Sequence, residues 1–201
     1  MARNVQLVFD FVSPNAYLIW WPLRDLLRDM GAGLDVFPVF LGGMHKLTGN
    51  APPFVRDAEI KGKNAYAMLE MQRFIVRHGL SRFKMNPRFP FNSIMLQRFL
   101  YAANQDGRGV QFVEAMLPFV WEQELDVGDP DALGAAVESA GFDLADLTRR
   151  AQTEEVKQGL IDNTQSAVDR GTFGIPTIYV GDEMFFGKER LGQIAEELAK
   201  E

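Results

Sequence analysis

Two short stretches at opposite ends of the chain hold residue types that can do chemistry together. Near the N-terminus, Val5 to Phe11 (VQLVFDF) is rich in β-branched and aromatic residues and breaks at Val12-Ser13-Pro14, so a strand gives way to a helix at a serine. Ser13 has two readings there. Its oxygen can cap the helix by accepting a backbone amide hydrogen, worth about 1 kcal/mol. The same place offers unpaired amides and the positive end of a helix dipole, which stabilise a thiolate or another anion. Near the C-terminus, Gly174-Ile175-Pro176-Thr177 enters a second apolar run. Proline cannot donate to a strand ladder, so it belongs at an edge, a start or a bend, and the Ile175–Pro176 bond is a candidate for the cis form.

The 201 residues include no cysteine, which excludes disulfides, zinc thiolate sites and redox chemistry by the protein's own sulfur. A thiol acting at Ser13 must therefore be imported. Two histidines, His45 and His78, argue against a histidine-rich metal site, and His78 before Gly79 reads as a helix-end cation. With 21 basic and 27 acidic residues the net charge is −6, so no overall positive field draws nucleic acid or anionic lipid. The longest apolar stretch, Ala16 to Leu23, contains a proline and falls far short of the roughly 20 residues a membrane helix needs. Asp10 interrupts the N-terminus before any signal-peptide core forms. These features predict a cytoplasmic protein.

The elements that must position the two stretches follow from periodicity. After Ser13, Leu23, Leu26, Leu27 and Met30 repeat with helical spacing up to Gly31, with Pro22 as a candidate kink. Leu34 to Leu41 (LDVFPVFL) reads as a second strand, giving a right-handed parallel β-α-β unit. From Met44 to Arg170 the pattern is helical, with breaks near Gly79, Asn86 to Pro90, Asn104 to Gly109, Gly128 and Gly141. Its clearest helix starts at Asp129-Pro130 and stops at Gly141. Apolar stripes at Phe112, Met116 and Phe119 and at Met68, Met71 and Ile75 read as helix packing rather than a ligand site. Pro176 to Val180, the Gly181-Asp182 turn and Glu183 to Phe186 form a hairpin, and Leu191, Ile194, Ala195 and Leu198 give a last helix a face that covers the sheet. The fold class predicted is α/β. Residues 1–43 and 171–201 form one domain, and residues 44–170 a helical domain inserted between its β-α-β and β-β-α halves.

Several motifs resemble a known family: Phe9-Asp10-Phe11-Val12-Ser13-Pro14 with Tyr17-Leu18, Thr48-Gly49-Asn50, Phe173-Gly174-Ile175-Pro176-Thr177, and Gly181-Asp182-Glu183-Met184-Phe185-Phe186-Gly187. In these the chain is similar to the 2-hydroxychromene-2-carboxylate isomerases, relatives of the kappa-class glutathione transferases, from the first strand to the final helix. The resemblance implies a DsbA-like thioredoxin fold interrupted by helices, a homodimer, and glutathione as cofactor. It implies that Ser13 faces the glutathione sulfur and donates a hydrogen bond to the thiolate, and that the backbone of Ile175 pairs with the cysteinyl part. Phe186, Gly187, Lys188 and Glu189 would hold the γ-glutamyl end; relatives carry aspartate where this chain has Glu189. Taken without the resemblance, Lys188 and Glu189 read as solvated helix-start charge. Lys46, Asn50, Arg56 and Asn86 fall where the family contacts substrate, with His45 a rival to Lys46, surface charge an equal reading for Lys46 and Arg56, and a structural loop role an equal reading for Asn86.

The activity implied is glutathione-dependent isomerisation between 2-hydroxychromene-2-carboxylate and trans-o-hydroxybenzylidenepyruvate, a small aromatic ketoacid, in aromatic hydrocarbon catabolism. A kappa-like transferase conjugating glutathione to electrophiles is the nearest alternative. A non-catalytic thioredoxin-like binding module is another.

Overall fold

Strand β1 (Asn4–Phe9) buries Val5 and Leu7 on one face and then Val8 and Phe9 in succession, as a strand with neighbours on both sides and cover on both faces does. It pairs in parallel with β2 (Gly33–Pro38), from Asn4 opposite Gly33 to Phe9 opposite Pro38. On its other side it pairs antiparallel with β3 (Thr177–Val180), which in turn pairs with β4 (Glu183–Phe186). The sheet order is β2-β1-β3-β4. The structure, a computed structural model, describes residues 4–200; residues 1–3 and 201, which the expected domain boundaries include, lie outside the described residues.

Helix α1 (Pro14–Asp29) connects β1 to β2 and runs through Pro22. It buries Ala16 to Trp20, Leu23 and Leu27, and ends at Met30 before left-handed Gly31. Between β2 and β3 the described residues form helices α2 (Leu41–Thr48), α3 (Pro53–Arg56), α4 (Lys63–Arg77), α5 (Ile94–Gln105), α6 (Gly109–Trp121), α7 (Pro130–Ser139), α8 (Leu144–Ala151) and α9 (Glu154–Asp169). A 3-10 turn at Lys188–Arg190 leads into α10 (Leu191–Leu198), which packs against α1 and β3. The order β-α-β, helices, β-β-α is the α/β thioredoxin-like arrangement anticipated. α7 begins at Asp129, whose carboxylate accepts the amides of Asp131 and Ala132. No helix among the described residues is long and apolar enough to cross a membrane.

One expectation needs correction and two need refinement. The second strand stops at Pro38 instead of reaching Leu41, because the amides that would continue it are taken elsewhere: Phe40 N–H donates to Thr164 Oγ1 at 3.0 Å and Leu41 N–H to Asp10 Oδ2 at 2.8 Å. Of the Met68, Met71 and Ile75 stripe, Met71 and Ile75 are partly buried against the core as expected, and Met68 is not. Of α4 only Phe74 is buried, and Met68, 55% exposed, lines an open cavity of about 550 Å³ with Met71, Ile75, Val76, Phe83 and Met85. Helical period identifies an apolar face but not what lies across from it, and within one chain too little lies across from this one. His78 does close the end of α4, but partial burial and nearby Arg77 push its pKa down, which disfavours the cation, and its ring lies 4.2 Å from that of Phe74.

Gln97 ties the helices to the sheet. Wholly buried, it donates from Nε2 to the carbonyls of Phe9 (2.8 Å) and Val39 (2.7 Å), where β1 and the chain after β2 end. Its Oε1 receives the Phe11 amide at 3.4 Å. Each buried group stranded by its loss costs about 1–3 kcal/mol. Gln97→Leu is therefore expected to lower unfolding free energy by about 2–4 kcal/mol, read as a fall in the urea midpoint at unchanged slope.

Candidate active site at the start of the first helix

The β1-α1 junction puts a hydroxyl at the mouth of the sheet. Ser13 has extended backbone angles, caps α1 by accepting the Ala16 amide on Oγ at 3.3 Å, and is 5% exposed. With Pro14 as the first helical residue the next amide, that of Asn15, donates to nothing among the described residues. This is the donor-rich terminus that favours an anion. The same Ser13 Oγ donates to the Ile175 carbonyl at 3.2 Å, so the two stretches singled out at opposite ends of the chain touch. The Ile175–Pro176 peptide is cis, as the sequence allowed; Phe89–Pro90 is cis too, which the sequence reading did not anticipate. The Ile175 amide, in a buried residue, donates to no acceptor among the described residues, and such a group needs a partner.

The other expected residues divide by place. Asn50 follows α2 through left-handed Gly49 and donates from Nδ2 to the Phe173 carbonyl at 2.7 Å, which brings it to the loop of Ile175. Phe186 packs on Phe173 with centroids 4.6 Å apart. Gly174 lies under the Phe186 ring, where a Cβ would come within 2.9 Å of it. Gly187 donates to the Pro176 carbonyl at 3.0 Å, so the end of β4 is stitched to the same loop. Lys188 is buried, contrary to the solvated reading, with its ammonium paired to Glu189 and 5.4 Å from the Phe74 ring centroid. Glu189 is half exposed at its side chain.

Lys46 is exposed on α2 and among the described residues forms no ion pair. Neighbouring His45 is half-buried, and burial together with the Arg56 charge pushes its pKa down. Arg56 reaches Asp57 through two nitrogens at 3.0 and 3.1 Å and, with Lys63, holds that carboxyl at about 2, so its guanidinium is already engaged. Asn86 does not present a free amide to a substrate. It is buried, and its Nδ2 donates to the Val120 and Leu125 carbonyls at 2.9 Å while Oδ1 accepts the Arg88 amide. Its role is to hold the chain around α6.

Sequence reasoning missed a set of polar groups behind the hydroxyl. Asp10, wholly buried, accepts the Val12 amide on Oδ1 (3.0 Å) and the Leu41 amide on Oδ2 (2.8 Å), while its own carbonyl accepts the Ser13 amide (3.1 Å). Burial raises its pKa to about 6 against those hydrogen bonds. Tyr17, one turn beyond Ser13, donates to Glu122 at 2.9 Å. Burial and that carboxylate keep its phenol protonated far above the usual range. Trp121 Nε1 donates to the Phe11 carbonyl at 3.0 Å, and its ring stacks on Phe83. One signal was available: a carboxylate ending an apolar strand three residues before a helix cap is costly to bury without partners.

Comparison with known proteins agrees with this fold. Residues 4–199 match the family described as DSBA-like thioredoxin domain. A 2-hydroxychromene-2-carboxylate isomerase of Pseudomonas putida is 28% identical over 189 residues, 93% of this chain and 90% of that protein. Human glutathione S-transferase kappa 1 is 28% identical over 213 residues, covering 97% and 90%. Among solved structures, that of a 2-hydroxychromene-2-carboxylate isomerase superposes with a TM-score of 0.81 at 25% identity over 96% of this chain and 93% of that one.

The Asn50 amide is a local strut and only partly buried, so Asn50→Ala is expected to cost no more than about 1 kcal/mol of global stability. It should instead raise hydrogen exchange at the amides of residues 173–175, measured by mass spectrometry; unchanged exchange there would deny the strut.

Proposed function

The chain belongs to the DSBA-like thioredoxin domain family, and from that premise we propose that it is a glutathione-dependent isomerase interconverting 2-hydroxychromene-2-carboxylate and trans-o-hydroxybenzylidenepyruvate in aromatic hydrocarbon catabolism. One observation carries the reading: in a chain without cysteine, a buried serine hydroxyl caps α1 and faces the carbonyl before a cis-proline. A site built for sulfur then needs its sulfur from outside. The similarity to isomerases named for this reaction supplies the substrate.

The residues present suit glutathione. The unpartnered Ile175 amide, with its carbonyl, pairs with the cysteinyl backbone as one more short strand. Gly187, Lys188 and Glu189, with Phe186 beside them, hold the γ-glutamyl end, where the buried ammonium suits a carboxylate. Bound there, glutathione supplies a thiolate that adds reversibly to the conjugated alkene, so that the former double bond rotates before the sulfur leaves. Ser13 turns its proton from the Ile175 carbonyl to the sulfur, and the helix terminus adds to the preference for the anion. For a thiol whose ordinary pKa is about 8.5, this raises the ionised fraction at neutral pH. Lys46 is the cation free to meet the substrate carboxylate, with Asn50 beside the loop. Arg56, bound to Asp57, acts as support.

The kappa-class relative is as similar as the isomerase, and product analysis separates the two activities. We expect isomerised substrate at constant thiol concentration; stoichiometric loss of thiol would indicate a transferase. Ser13→Ala is expected to keep the fold, at a cost of about 1 kcal/mol for the cap, and to lower kcat at saturating glutathione on the order of 10²-fold. Near-normal kinetics would remove Ser13 from the role.

We propose a homodimer as well. α4 offers the surface, since Tyr66, Met68, Leu69 and Val76 are all exposed on it, and a second copy would cover them. Sedimentation equilibrium should give a dimer that Val76→Glu weakens; a monomer at micromolar concentration would contradict this.

A further inference from the structure

The hydrogen bonds around Ser13 close on themselves. The Ser13 amide donates to the Asp10 carbonyl, and the Asp10 carboxyl receives Leu41 N–H, which opens α2. α2 leads through Gly49 to Asn50, which donates to the Phe173 carbonyl, and two residues later the Ile175 carbonyl receives Ser13 Oγ. The circuit joins three segments far apart in sequence and encloses every atom assigned above to the sulfur and the cysteinyl backbone.

We propose that Asp10 is the positioning residue of this site, its two carboxylate oxygens fixing the distance between the Ser13 turn and the start of α2, and so the aim of the Ser13 hydroxyl. The inference rests on the reading above for what Ser13 does, and on geometry for the rest. Oδ1 holds the Val12 amide, immediately before Ser13, and Oδ2 holds the Leu41 amide, 31 residues away. Only the ionised form accepts strongly on both oxygens. A protonated carboxyl keeps one good acceptor.

Asp10 is therefore a switch as well as a strut. Burial places its titration at about 6, so both amides are held above that pH and one slackens as the pH falls through it. The groups facing the carboxyl are the Val12 and Leu41 amides and, from the turn before α5, the Ser93 hydroxyl, which faces it without completing a hydrogen bond. None is charged. The first titratable group along α2 after Leu41 is His45, whose pKa is itself pushed down, so it is the one to control for.

The test is Asp10→Asn, which keeps the shape and one acceptor but not the second. In the wild-type protein the ¹H–¹⁵N shifts of Val12 and Leu41 should titrate with an apparent pKa near 6. In Asp10→Asn the titration should vanish, kcat at saturating glutathione should fall on the order of tenfold, and the glutathione Kd from calorimetry should change by less than about threefold. The acid limb of wild-type kcat should be lost in Asp10→Asn and kept in His45→Gln. Wild-type amides that do not titrate between about pH 5 and pH 7 would overturn the proposal whether or not the variant folds. So would a folded Asp10→Asn with wild-type kcat and acid limb. A wild-type protein lacking glutathione-dependent turnover would instead defeat the functional reading, and the amide titration would still judge Asp10.

Discussion

One hydroxyl joins the two ends of this chain. Ser13 Oγ accepts from the first turn of α1, a local bond, and donates to Ile175, 162 residues away; the second bond needs β1 and β3 to be neighbours in register. Antiparallel pairing from Val5 opposite Val180 to Val8 opposite Thr177 provides that. Gln97 and Trp121 then anchor the helices to the end of β1. The helices thereby set the geometry of a junction that belongs to the sheet.

Much of this was legible because it is local. A β-branched run ending at Ser-Pro, an Asp-Pro helix start and a Gly-Asp hairpin each declare themselves within a few residues; α1, α7 and the β3-β4 hairpin lie where those signals put them, and β1 does too except that it ends at Phe9, two residues short of the expected Phe11. What was not legible is long-range. Asp10 finds a partner 31 residues away and Gln97 finds partners 58 to 88 residues away, and the local sequence does not say which residues these are. The early end of β2 has the same cause, since the carboxylate of Asp10, just beyond β1, takes the amide of Leu41.

The residues expected at the site divide along the same line. Ser13, Ile175, Phe186 and Gly187 meet because backbone pairing at the sheet's end brings them together, and Asn50 joins them through one side-chain bond. Arg56 and Asn86 carry suitable groups, but each already satisfies a neighbour, Asp57 in one case and carbonyls at the end of α6 in the other. Charge type and spacing locate a candidate; only the count of its hydrogen bonds shows whether anything is left for a ligand. Lys188 makes the converse point, a lysine at a turn that turns out to be buried against an aromatic ring.

With no cysteine in the protein, the chemistry at Ser13 depends on where an outside sulfur sits. A crystal structure of the protein with glutathione is the most direct measurement. It should show the sulfur within hydrogen-bond reach of Ser13 Oγ, roughly 3.3 Å, the hydroxyl released from Ile175, and the cysteinyl carbonyl on the Ile175 amide. Glutathione bound with its sulfur elsewhere, or Ser13 still donating to Ile175 beneath it, would contradict the account.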